Sequence, residues 1–544
     1  MNLQKAIKGV FANEKVILFL FIFLYLSLEL INIRLPGLYA DEAFSACGSL
    51  QIIKRINPLL LSRKVFNIHI PFMRGPYATA LESYILLPFF CLFGVNVVAL
   101  RLAPILIGAG ALLFMYFFLR DFFSRSVALL CLFLTVINST FLVETKLGLN
   151  TASMLHFTAM AALWSLFKWY RNKEVPYLYL GVFFLSVGIS VRVWFLWFFN
   201  GMVILAVIFN HEVRERIKGN ICKHVAIIIA VFLISNILFV YYNLVSNFET
   251  IKYIVRHFAE THSAVNNFVY FNNLQQRFFV FIEYLKGSWT LNQQGVSSQA
   301  VNILGPFIFL LIFIYLAFAA LFNKTKAGRK KVSFILILFS LIFLQSPFTL
   351  SNLGGPHLFI LYPLVQIILG LGIIDSIRSL KKNIIIPAFI IFITFIFVGL
   401  ECNNNIKNNY LYYNKTGGAG RYSDSIYGVT QYLLDNKIYK PVVMSWGITH
   451  SLVFLSEGKL TPRSLNYVES QGGSEYKSEF VRDLRLILKD NNRYIFRSPQ
   501  FTNWHEATLI FNSVVSGMGK RPIAEKIFFQ RDGVPVYIIY SLRE

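Results

Sequence analysis

Long apolar runs separated by short basic connections fill the first three quarters of the chain. They fall near residues 16–33, 98–119, 126–143, 148–167, 177–191, 193–210, 224–243, 301–322, 332–350, 357–375 and 384–401. Each holds 15 to 22 residues, close to the roughly 20 that one bilayer crossing needs. The pattern predicts eleven transmembrane helices. The stretch 177–210 is 34 residues long, too long for one crossing, and Arg192 at its middle marks a tight outer turn between two short helices. Two connections on the outer side are long. Residues 34–97 hold interrupted apolar patches, Phe44 to Ile56 and Tyr84 to Phe93, expected as short helices lying in the interface. Residues 244–300 hold the polar stretch His257 to Gln276 and then an amphipathic Arg277 to Lys286, expected as a loop over a site.

Beyond residue 401 the period changes. Strand-like runs at 441–445, 493–497, 523–530 and 534–541 alternate with helix-like runs at 423–436, 448–456, 475–490 and 504–516. Alternation of this kind predicts a small layered sheet with helices. The expected fold is thus an all-α polytopic membrane domain over residues 1–401, followed by a soluble α/β domain over 402–544.

Composition agrees, since 56% of the residues are apolar and 14% charged, against about 25% charged in soluble proteins. The net charge of +24 would suggest nucleic acid in a soluble protein, but its placement argues otherwise. Residues 1–401 carry 33 Lys/Arg against 15 Asp/Glu, and the tail 18 against 12, with no Gly/Arg-rich tract or aromatic-basic motif. Membrane lipid head groups are the simpler partner, and no nucleic acid is expected. Twenty basic residues, from Lys5 to Lys382, lie in one alternating set of loops, whereas the short loops of the other set hold two, Lys146 and Arg192. The richer side is read as cytoplasmic, which places the N-terminus inside and the C-terminus outside. Leu38 stands where a cleavage site after Ala40 would need a small residue, so the first run is expected to remain as a helix. The five cysteines show no metal-ligand spacing. An Asn/Lys/Ile-rich composition points to a bacterial inner or plasma membrane.

Charges beside a membrane are costly and need a reason. On the outer face they gather: Asp41-Glu42 after the first apolar run, Arg74-Gly-Pro-Tyr77, Glu144-Thr-Lys146, Arg192 and His357. Acids among cations at the rim of a helix bundle suit a general base beside a bound phosphate. Plainer readings stand beside this one. The acidic pair could be solvated charge at a helix end, Glu144 and Lys146 could pair as a cap, His357 could bond a backbone carbonyl, and Glu82 could be a surface acid.

These motifs resemble the GT-C glycosyltransferases, the group that includes protein O-mannosyltransferases and aminoarabinose–lipid A transferases. Asp41-Glu42 matches the family's acidic pair after the first helix. Arg74-Gly75-Pro76 lies where many members have Lys-Pro-Pro. Glu144-Thr-Lys-Leu-Gly-Leu-Asn150 resembles the family's Ala-Arg-x-Gly-x-x-Asp, Val191-Arg192 its Thr-Lys turn, and Pro356-His357-Leu-Phe-Ile-Leu-Tyr-Pro363 its Arg-Tyr-x-x-Pro. The resemblance implies a hexosyl or pentosyl donor on polyprenyl phosphate and a lipid, glycan or protein acceptor. It implies Asp41 as general base, Glu42 orienting the acceptor or helping to hold a metal, and Arg74, Lys146, Arg192 and His357 on the donor phosphate. Glu144 and Glu82 are additional candidates. Use of a divalent metal, Mg or Mn, varies in the superfamily, and no multi-carboxylate oxygen site is evident. The competing reading is a transporter or flippase for a lipid-linked sugar, but such proteins tend to keep polar groups near the midplane between internal repeats. Here the charges lie at the rim.

Overall fold

The computed structural model describes residues 13–148, 151–209, 211, 221–259, 265–322, 326–350, 352–379, 385–465, 474–488, 492–502 and 506–544. Asn150 and several of the counted basic residues, Lys5 and Lys382 among them, lie outside these.

All eleven apolar runs fold as helix, but not as eleven uniform rods. Among the described residues, four helices can each cross a membrane alone by length and composition: Val97–Phe122, Leu304–Phe322, Gly355–Arg378 and Ala388–Thr416. Two bent pairs raise the number to six, Arg125–Val136 with Ser139–Leu147 (68°) and Ile221–Ser235 with Ile237–Val245 (73°). Helix length therefore does not establish the eleven crossings. The bends have local causes. Asn138 leaves the helical ladder to accept from the Phe141 N–H and to donate to Glu401, and Asn236 turns its amide back onto the Phe232 carbonyl. Arg192 sits in extended backbone (φ −155°, ψ 135°) between Val175–Val191 and the 3-10 turn Val193–Phe195, the break that the sequence pattern indicates.

Between the first helix α1 (Glu14–Leu30) and the long Val97–Phe122 lie α2 (Ala40–Ile53) and α3 (Leu81–Phe93), on the two interrupted apolar patches. A three-stranded antiparallel sheet separates them, built from β1 (Leu61–Val65), β2 (Ile68–Gly75) and β3 (Ala78–Thr79). The β1–β2 hairpin closes on Phe66-Asn67, both at positive φ (46° and 64°), the backbone of a two-residue turn matched to strand twist. In the 244–300 connection the chain is helical over Glu249–Ala259 and Tyr270–Lys286, so the amphipathic segment begins earlier than Arg277.

The C-terminal region forms a five-stranded sheet in the order β5-β4-β6-β8-β7, with β4 (Val442–Val443), β5 (Arg463–Ser464), β6 (Tyr494–Arg497), β7 (Arg521–Phe529) and β8 (Pro535–Arg543). β4 runs parallel to β5 and β6, while β8 pairs antiparallel with β6 and β7. The helices Ser425–Asp435, Thr449–Leu455, Ser474–Ile487 and Glu506–Ser516 accompany it. One apolar core joins this region to the connection between the first two apolar runs. Ala43, Ala46, Cys47 and Leu50 of α2 and Leu86 and Phe90 of α3 pack with Val429, Ile448, Leu452 and Phe454. The sheet-bearing region is thus seated on the helix that carries the acidic pair.

Candidate active site

The acids open α2, where the helix N-terminus favours negative charge. Their surroundings differ sharply. Glu42 is buried and both its oxygens are engaged, Oε2 by Arg101 Nε (2.8 Å) and Oε1 by Arg101 Nη2 (3.1 Å) and the Tyr39 N–H (3.1 Å). Arg101 spends its remaining donors on the carbonyls of Ile33, Pro36 and Gly37. This clamp ties the loop leading into α2 to the Val97–Phe122 helix and fixes where α2 starts. Burial pushes the Glu42 carboxyl above the usual range, with Arg101 opposing it. Asp41 faces elsewhere, its side chain 25% exposed.

Arg74, at the end of β2, reaches Asp41 Oδ1 (3.1 Å) and Ser45 Oγ (2.7 Å), stands 3.7 Å from Glu82 Oε2, and lies over the Phe44 ring at 5.1 Å. Asp41, Phe44 and Ser45 are three and four residues apart, so one face of α2 presents all of them. Arg192 is buried with its guanidinium 5.2 Å over the Trp194 ring, within electrostatic reach of Asp41, Arg74 and Glu82. The His357 ring lies 4.3 Å from Trp194, and Arg277 Nη2 is 3.3 Å from His357 Nδ1. Five of the sequence-derived residues, Asp41, Arg74, Glu82, Arg192 and His357, are therefore brought into one connected cluster.

Lys146 and Glu144 are placed differently. The Lys146 ammonium donates to the Ile31 carbonyl (3.1 Å) and lies over the Tyr410 ring, beside Glu29 of α1. Glu29 in turn accepts from Thr145 Oγ1 (2.7 Å). Lys146 is thus bound into the junction of α1 with Ser139–Leu147. Glu144 is buried among Tyr284, Tyr362, Tyr413 and Tyr422, and neither of its oxygens has a hydrogen-bond partner among the described residues. Among the described residues no three His, Cys, Asp or Glu side chains converge. Asp41 and Glu82 both face Arg74, Asp41 by a hydrogen bond and Glu82 Oε2 at 3.7 Å without one.

Three contributors were not found from sequence. Arg277 is fully buried and holds the carbonyls of Ser346 and Gly354 besides meeting His357; a lone arginine within an amphipathic apolar helix was its one signal. Trp446 comes from the turn after β4, and His450 from the first turn of the helix Thr449–Leu455 that follows it. The His450 ring lies 4.4 Å from that of Phe44, and the Trp446 ring 6.2 Å from that of Tyr39. Burial and then Arg74 push the His450 imidazole down to about 4, with Asp41 opposing them. Gly447 permits this approach: its φ is +83°, and a Cβ there would lie 3.4 Å from that of Ala40.

The family model for dolichyl-phosphate-mannose-protein mannosyltransferase matches residues 79–239. No sequence among the curated proteins matches the chain. Among solved structures, ArnT from Cupriavidus metallidurans in the apo state superposes with a TM-score of 0.60 at 14% identity, covering 96% of this chain and 97% of that one. The same protein bound to undecaprenyl phosphate gives 0.58 at 12% identity with the same coverage. The oligosaccharyltransferase of Archaeoglobus fulgidus, tethered to an acceptor peptide, gives 0.57 at 11% identity over 92% of this chain and 71% of that one. At these identities the likeness is one of fold, and it extends over nearly the whole chain, sheet included. The resemblance drawn from the short motifs is matched by the architecture: the chain is a membrane protein with the fold of the GT-C superfamily of glycosyltransferases.

Proposed function

We propose that the protein transfers a sugar from a polyprenyl-phosphate donor to a lipid, glycan or protein acceptor on the outer face of the membrane, by single displacement with inversion. The observation that carries this reading is the Asp41–Arg74–Arg192 cluster, one partly open carboxylate beside two buried guanidiniums. Asp41 takes the proton of the acceptor hydroxyl as its oxygen attacks the anomeric carbon. The bond from that carbon to the phosphate oxygen breaks, and the polyprenyl phosphate leaves with the electron pair. Arg74 and Arg192 hold the phosphate on which negative charge grows, with His357 and Arg277 behind them. A guanidinium fits this task, since its planar fork can bind two phosphate oxygens at once. Glu42 and Lys146 are read as positioning residues, because Arg101 occupies the first and the end of α1 holds the second. The solved relatives bound to undecaprenyl phosphate and to dolichol-phosphate support a carrier of this class.

The test is transfer of labelled sugar by the purified protein from a panel of hexose, pentose and uronic acid donors on polyprenyl phosphate. Asp41→Asn is expected to abolish transfer while leaving the affinity for polyprenyl phosphate unchanged. Undiminished transfer by that variant would remove Asp41 from the mechanism. Movement of the lipid-linked sugar across liposomes without transfer would favour the transporter instead.

A further inference from the structure

Two pairs of cations lie near the start of α2, and one donor phosphate accounts for only one of them. On the membrane side stand Arg74 and Arg192. On the sheet side stand Arg421 and Arg497, from different elements of the C-terminal region. The Arg421 guanidinium lies 5.7 Å over the Tyr39 ring and 5.8 Å over the Trp446 ring. Arg497, the last residue of β6, is 3% exposed and donates Nη2 to the Trp446 carbonyl at 2.7 Å. The Arg497 side chain also meets the Tyr537 hydroxyl, while its Nε has no hydrogen-bond partner among the described residues. The Tyr39 hydroxyl, two residues before Asp41, is in electrostatic reach of Asp41, Arg421 and Arg497 together.

A structural brace does not require this charge. Neutral donors could hold the Trp446 carbonyl and the Tyr537 hydroxyl, whereas burying a guanidinium without an anion is strongly unfavourable. Arg101, equally buried, has Glu42. Arg497 has no such partner within the described chain, and it lies against the turn that closes over the start of α2. We infer that Arg421 and Arg497 form a second anion subsite, which takes a phosphate or carboxylate carried by the acceptor near its reacting hydroxyl. The assignment to the acceptor rests on the transferase reading; the anion subsite itself does not. The planar forks suit either group.

The experiment uses the full chain, purified and saturated with undecaprenyl phosphate so that the donor-side cations are filled. Glucose 6-phosphate, glucuronate and glucose are then titrated by calorimetry. Saturable binding of one or both anionic sugars and none of glucose is expected, and the preferred anion separates phosphate from carboxylate as the group recognised. Arg421→Gln and Arg497→Gln should each weaken that binding at least about tenfold with undecaprenyl-phosphate affinity unchanged. Arg497→Lys guards against misfolding and should fall between wild type and Arg497→Gln. Displacement of undecaprenyl phosphate by the anionic sugar, equal binding by Arg421→Gln, or no anion binding at all would overturn the subsite. Asp41→Asn should keep it. Anion binding without sugar transfer would remove the transferase reading and leave the subsite standing; transfer without anion binding would do the reverse.

Discussion

Neighbouring acids at the start of α2 have divergent fates, and the difference is one of partners. Glu42 is held by Arg101, so Glu42→Ala leaves a buried guanidinium uncompensated and should cost about 3–5 kcal/mol, read as a lower thermal midpoint. Asp41→Asn should leave that midpoint nearly unchanged, because its side chain is partly open. His450 gives a pH signature. With the folded imidazole at about 4 and the unfolded one at about 6.5, only the unfolded chain gains a proton between those values. The wild type should therefore lose stability as pH falls from 6.5 towards 4, relative to His450→Gln, with the full contribution present above 6.5. A pH-independent gap between the two midpoints would contradict this. Asp41, Arg74, Arg192 and His357 were legible in the sequence because charge in an apolar setting stands out. Which acid is clamped was not legible, since Arg101 lies 59 residues from Glu42 and reads locally as one basic residue opening an apolar run.

At the scale of elements, period alone revealed the helices of the apolar runs and four of the five strands of the C-terminal sheet, but it read the helix Glu249–Ala259 as part of a loop. It missed β5, two residues long, and the β1–β3 sheet, whose strands carry charges and a proline and lack clean alternation. The Phe66-Asn67 turn was a weak clue, because only the Asn is a usual turn residue. Contacts between elements were illegible for a different reason: nothing local in the Ser445–Ser451 stretch says that it docks on α2. The joint itself depends on close backbone approach. A Cβ on Gly37 would come within 2.3 Å of the Ser423 carbonyl group, and the Gly37 N–H donates to the Gly417 carbonyl. Gly37→Ala should force these segments apart at a cost of about 1–3 kcal/mol, measured as a lower midpoint and faster protease cutting near residue 417. Unchanged cutting would mean that the joint tolerates the shift.

For the whole molecule, the charge pattern and the site make one demand on topology. The cluster around Asp41 lies where the C-terminal sheet packs on α2, so both belong to one side of the membrane. The basic-loop count predicts that this side is the exterior, and on that reading a reporter fused after Glu544 should report the outer compartment. A cytoplasmic signal would mean an even number of crossings, with the broken stretch 177–210 the first place to look. Helix length gives four to six spans, because bends at Asn138 and Asn236 divide what composition reads as single runs; hydropathy records apolar content and is blind to such breaks. Sugar transfer is proposed to depend on an outer-face carboxylate, Asp41, beside the donor phosphate. The most direct measurement compares purified wild type and Asp41→Asn for transfer of labelled sugar from polyprenyl-phosphate donors, with polyprenyl-phosphate binding followed in parallel. The account predicts transfer by wild type alone and equal carrier binding by both. Equal transfer by both proteins would contradict it.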